Sequence, residues 1–129
     1  MKNRTWGRWA AIGFVVLVFL VSSCSHPSQS TVEKFYRALE AGKISEAKEY
    51  VATEVRSLLG DRKLSLALAK QSENIRKCGG IKKIEVNLEG SGEIRTGTTK
   101  VTFKGDCKPD WQNTKLIKEN GKWKITATK

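Results

Sequence analysis

The hydrophobic period of this chain changes once, at Gly79-Gly80, and that change decides its fold class. Ahead of it, Val32, Phe35, Tyr36 and Leu39 recur at i, i+3, i+4 and i+7, one apolar helix face. Ser30 with Glu33 three residues on makes a capping box to open this helix, and Gly42 offers a left-handed exit. A second short helix is expected near Ser45, presenting Ala47, Tyr50 and Val51, with Val55, Leu58 and Leu59 continuing its apolar face to Gly60. Asp61 is placed to cap a third segment running to about Lys77, with Leu64, Leu68 and Ile75 on one side. Beyond the diglycine, Ile84, Val86 and Leu88 alternate with Lys83, Glu85, Asn87 and Glu89, as in a strand with one buried face. Ser91-Gly92 turns the chain into a longer strand near 93–104. Its phase slips between Ile94 and the pair Val101 and Phe103, so Gly97 is expected to mark a bulge. After the break at Pro109-Asp110, strands at 111–118 and 122–128 flank Asn120-Gly121, a strong hairpin signal. Helices followed by an antiparallel meander predict an α+β domain with its helices on one sheet face.

The first 23 residues stand apart from this pattern. Lys2, Arg4 and Arg8 precede the apolar run 10–21, which is shorter than the roughly 20 residues of a membrane span. A basic start, a short apolar middle and small residues before a cut describe a secretory signal. Val21-Ser22-Ser23-Cys24 resembles the lipobox of bacterial lipoproteins. That resemblance implies cleavage before Cys24, a thioether-linked diacylglycerol on its sulfur and an exported, membrane-anchored product. Ser25 after the cysteine resembles the default signal for the outer membrane in a host that has one. An uncleaved anchor, or a plain signal peptide with an incidental cysteine, is the competing reading. Residues 24–29 then form a lipidated tether, and its polar part, 25–29, would hold a domain at 30–129 within about 20 Å of the lipid.

The formal charge is +11, and the leader's three cations leave about +8 on the remainder. Such a field favours acidic partners: phospholipid head groups, phosphorylated glycans or an acidic protein. Nucleic acid is the other usual partner of a basic chain, and the exported address argues against it. The lysines also fit a solvated face and strand-edge protection. With Cys24 assigned to the lipid, Cys78 and Cys107 remain. An even pair in an oxidising compartment argues for a disulfide over two free thiols. Metal binding by these two with the lone His26 is a poor rival, since structural zinc takes four ligands.

The stretch 32–47, Gly79-Gly80-Ile81 leading into a strand, and Asn120-Gly121-Lys122-Trp123-Lys124-Ile125 together resemble small bacterial lipoproteins with the nuclear transport factor 2-like fold. The resemblance covers about residues 30–128. It implies a bent sheet wrapping a helical layer, with a conical pocket between them.

Enzymes of that fold resemble one another in directing Asp, Tyr or His into the cone. His26 falls in the tether, where the sequence gives it no fixed position, so a histidine base within the domain is not expected. Tyr36 and Tyr50 are the candidate pocket donors, with core packing as the alternative. Trp111 follows a Pro-Asp turn and is a candidate interface residue, while Trp123 shares the phase of Ile125 and points toward the core. No nucleophile-elbow serine and no glycine-rich phosphate loop is present, so neither a catalytic residue, a metal site nor a cofactor is expected. The sequence therefore predicts a lipid-anchored envelope protein whose domain binds a protein or a small amphiphile. An inhibitor or immunity lipoprotein, and an isomerase or dehydratase using a tyrosine with a carboxylate, are the alternatives. Oligomeric state is not encoded in any motif.

Overall fold

The first helix, α1, spans Pro27–Glu40 and opens four residues earlier than the capping box predicts, its cap His26 in place of Ser30. Pro27 occupies its first turn, where a missing N–H costs nothing and the fixed φ is already helical. His26 caps it through the ring, Nδ1 accepting from the Ser28 amide at 3.2 Å, and Ser28 is buried. Ser30 lies inside the helix. The polar tether expected at 25–29 is thereby cut short, and His26, expected to be unpositioned, is fixed. This is a computed structural model, and it describes residues 26–128; the leader and Cys24 lie outside the described residues.

Three further helices complete the helical layer. Helix α2 (Ile44–Glu49) buries Ala47, and Val51 follows it. The chain then runs beside the last strand: the Ala52 amide donates to the Ile125 carbonyl at 2.8 Å and the Ile125 amide to the Tyr50 carbonyl at 2.7 Å. A new helix, α3 (Thr53–Leu59), starts there and buries none of its residues. The apolar face expected from Val51 through Leu59 is thus broken, leaving Leu58 77% exposed. Helix α4 (Asp61–Lys77) buries Leu64, Leu68 and Ile75 as their spacing predicts. Its cap is Gly60 rather than Asp61, whose carboxylate is taken by the Lys48 ammonium at 2.9 Å.

The strands β1 (Ile81–Glu89), β2 (Ile94–Phe103), β3 (Asp110–Glu119) and β4 (Lys122–Thr126) form one antiparallel meander in chain order. Helix α1 packs on both β1 and β4, the two ends of the sheet, so the sheet curls around it. Pairing places Ile84, Val86, Thr99, Val101, Thr114, Leu116, Trp123 and Ile125 on the inner face, against Val32, Phe35 and Leu39. The expected bulge at Gly97 is absent, since Gly97 keeps register with Leu88 on one side and Thr114 on the other. The shift lies between Ile81 and Lys83 instead. Gly97 serves close approach: a Cβ there would stand 1.8 Å from the Asn87 carbonyl oxygen. Ile94 is out of phase because it faces outward, 50% exposed.

The sheet has two unlike poles. At one, Cys78 and Cys107 form a disulfide with Cα atoms 5.5 Å apart. Beside it, the Glu40 carboxylate accepts the Ile81 amide at 2.6 Å, tying the end of α1 to the start of β1. At the other pole lie the two hairpin turns and the N-terminus of α1. Asn120 and Gly121 have φ of 50° and 78°, the paired positive values that a tight two-residue hairpin requires. Glu119 seals this side by accepting the Thr53 amide and hydroxyl at 3.1 Å, which supplies α3 with its N-terminal partner.

Candidate functional site

The tight turn at Asn120-Gly121 puts Trp123 one residue into β4, directly opposite Lys118 of β3. Arg95 of β2 reaches the same indole from across the inner face. Its guanidinium lies 4.9 Å from the ring centroid, with the Lys118 ammonium at 5.7 Å and the His26 ring at 6.2 Å. Arg95 is held in place by donating to the carbonyls of Gly92 and Ile94, both at 2.9 Å. Cations over an indole are attracted by the negative face of its π-system, which is how several can gather on one side chain.

Next to this cage an open cleft of about 440 Å³ runs between α1, the end of α2 and β4. Ser30 and Lys34 form one wall, Glu49 and Tyr50 another, and Lys122, Trp123 and Lys124 the floor. Lys124 donates to the Glu49 carbonyl, so its ammonium is partly engaged. Lys34 and Lys122 are exposed. An aromatic floor with ammonium donors at its rim suits a ligand that joins a carboxylate or phosphate to an apolar portion.

The cone itself is different. Val32, Leu39, Val101 and Leu116 are each no more than 1% exposed and fill its interior. The Thr99 and Thr114 hydroxyls pair at 2.7 Å inside it. What remains is a cleft of about 180 Å³ lined by Tyr36, Gln71, Gln112 and Thr114 among others. Burial pushes the Tyr36 phenol up from 10.0 to about 12, helped by the nearby Asp110 charge. The phenol therefore stays a hydrogen-bond donor. Asp110 accepts from the Gln112 amide group at 3.0 Å.

The two candidate tyrosines thus line separate clefts, Tyr36 in the small one and Tyr50 in the open one. Trp111 is 62% exposed on the outer sheet face, with the Lys100 ammonium 5.2 Å from its ring centroid. Trp123, expected in the core, is half-buried and packs against the core by one side only. Among the described residues, no group of three or more His, Cys, Asp or Glu is placed to hold a metal ion. Also among them, no helix is long and apolar enough to cross a membrane. No local motif marks Arg95 and Lys118, because their meeting at Trp123 depends on strand register. The Asn-Gly turn was the one available signal, since it fixes Trp123 opposite Lys118.

No family model matches the chain, and no curated protein matches it in sequence. Its backbone is similar to a solved Campylobacter jejuni protein, provisionally named a nuclear transport factor 2-like transpeptidase, with a TM-score of 0.65. The two are 20% identical over 81% of this chain and 100% of that one. This chain has the nuclear transport factor 2-like fold. The helical layer within a curled four-stranded meander is the architecture that the resemblance implied. The conical pocket that the resemblance implied is, in this domain, mostly occupied by its own side chains.

Proposed function

We propose that the protein is a lipid-anchored component of the cell envelope whose nuclear transport factor 2-like domain acts by binding and not by catalysis. The anchor rests on the resemblance of Val21-Ser22-Ser23-Cys24 to the lipobox. A disulfide between the other two cysteines accords with an oxidising, exported address. The observation that carries the binding reading is the contrast between the cone and the cleft beside Trp123. The cone, where this fold houses chemistry, is packed with fully buried aliphatic groups, whereas the larger cleft is open, basic and floored by Trp123. The partner is an acidic amphiphile or the acidic surface of an envelope protein; a toxin held in check would be one such protein. The activity in the name of the Campylobacter jejuni protein is not carried over, because a likeness at 20% identity shows the fold alone.

The test is to purify the mature protein from envelopes in mild detergent and examine it by native mass spectrometry and by crosslinking. A ligand or partner is expected to copurify, and to be lost when Lys34 and Lys122 are both changed to Glu. Repeated isolation of bare protein, with no ligand and no charge-dependent partner, would count decisively against it.

The Asp110 charge felt by Tyr36, which lines the small cleft, favours one second reading, an isomerase or dehydratase of the kind seen on this fold. That reading requires turnover of a small carbonyl substrate that Tyr36→Phe abolishes while the fold persists.

A further inference from the structure

We propose that the pole carrying Trp123, Arg95 and Lys118 docks on the anionic headgroup surface of the membrane that holds the protein, an inference that rests on the lipid anchor at Cys24. Helix α1 begins at Pro27, and His26, its cap, already touches the Trp123 cage. Only two peptide steps separate His26 from Cys24, a reach of at most about 7 Å. A domain tied so closely to a lipid must present to the bilayer the surface from which the tether leaves. That surface holds the N-terminus of α1, the two hairpin turns and the indole with its cations.

Its chemistry fits a headgroup layer. Lys118 and Lys122 are exposed, and Arg95 and His26 stand beside the ring. Glu89 and Glu93 are the exposed acids on the neighbouring hairpin, while Glu119 is occupied at the Thr53 amide. Tryptophan settles at membrane interfaces, where the ring is dehydrated and its N–H remains wet. Each Lys or Arg held near an anionic surface strengthens docking about fivefold. Docking in this pose turns the Cys78–Cys107 pole outward, with Trp111 on the half of the sheet nearer that pole.

The chain's tryptophans make the test direct. Trp6 and Trp9 lie in the leader, so the processed protein keeps only Trp111 and Trp123. Mature lipidated protein is placed in phosphatidylcholine vesicles, with or without phosphatidylglycerol, containing brominated-chain lipid as a fluorescence quencher. With Trp111→Phe, the remaining Trp123 emission should be quenched in the anionic vesicles and largely spared in the neutral ones. With Trp123→Phe, the Trp111 emission should be spared in both. Lys118→Gln should weaken the quenched population about fivefold, and raised salt should act in the same direction. Lys118 is exposed, and retention of the disulfide and of the circular dichroism spectrum verifies that this variant folds. Protein that floats with vesicles while Trp123 is quenched no more than Trp111, or is indifferent to Lys118→Gln, overturns the docked pose and leaves the anchor standing. Protein that floats with no vesicle at all overturns the anchor, and this inference with it.

Discussion

Tyr36 and Glu40 sit one helical turn apart on α1, and their surroundings push them in opposite directions. Burial and the Asp110 charge both disfavour a phenolate at Tyr36, so it gives up its proton near 12 in the folded protein and near 10.0 when unfolded. Between those values the folded chain keeps a proton that the unfolded chain has lost. Stability from this source is intact below about pH 10 and falls away as pH rises toward 12. Tyr36→Phe should therefore flatten the alkaline side of the melting profile and remove the latest phase of phenolate absorbance. An unchanged alkaline profile would refute the assignment. At Glu40, burial pushes the carboxyl up, but the Ile81 amide and the Arg37 guanidinium outweigh it and hold the group below its usual range. Its contribution is present above the ordinary carboxylate range and is lost as pH falls through the lowered value. Glu40→Gln should cost about 1 kcal/mol at neutral pH, with a smaller loss on acidification, measured by urea denaturation at several pH values.

At the level of strands and helices, Gly97 is the least replaceable residue. Gly97→Ala drives a methyl into the Asn87 carbonyl, and the strands must part to admit it. A loss of about 3 kcal/mol or outright failure to fold is expected, whereas a melting temperature within a few degrees of the parent would show the approach to be looser than described. The disulfide closes a loop of 29 residues, so Cys107→Ser should remove about 3–4 kcal/mol in the chain-entropy model. It should also abolish the mobility difference between reduced and oxidised protein. Two alkylatable thiols in the native protein would contradict the bond. Much of this layer was legible in the sequence. The face of α1, the span of α4, the Asn-Gly hairpin and the Cys78–Cys107 pair all follow from periodicity, turn chemistry and cysteine arithmetic. The errors arise where surroundings that no local pattern encodes decide a residue's place. Ser30 was displaced as cap by Pro27 and His26, which pack against β4 and the cage. Asp61 was drawn off by Lys48. Ile94 mimicked a phase slip because it faces solvent, and Leu58 mimicked core because its helix turns away after the Ala52–Ile125 pairing.

Across the whole molecule, the proposed anchor and the charge of the domain would act on the same side. The basic excess of residues 24–129 is spread over several strands, yet at the α1 pole it converges with an aromatic group and with the point where the chain enters the domain. The candidate site was only partly legible, because Arg95, Lys118 and Trp123 come from three strands and meet only once register is set. The exposed Leu58, Leu59 and Leu66 and the exposed Trp111 mark further surface that a partner could cover. The proposed envelope role and the docked pose both rest on a lipid at Cys24. Intact-mass measurement of the protein isolated from bacterial membranes tests that most directly. A chain that begins at Cys24 and carries the added mass of a diacylglycerol is the result this account predicts. A chain that retains the leader, with Cys24 alkylatable and unmodified, would contradict it.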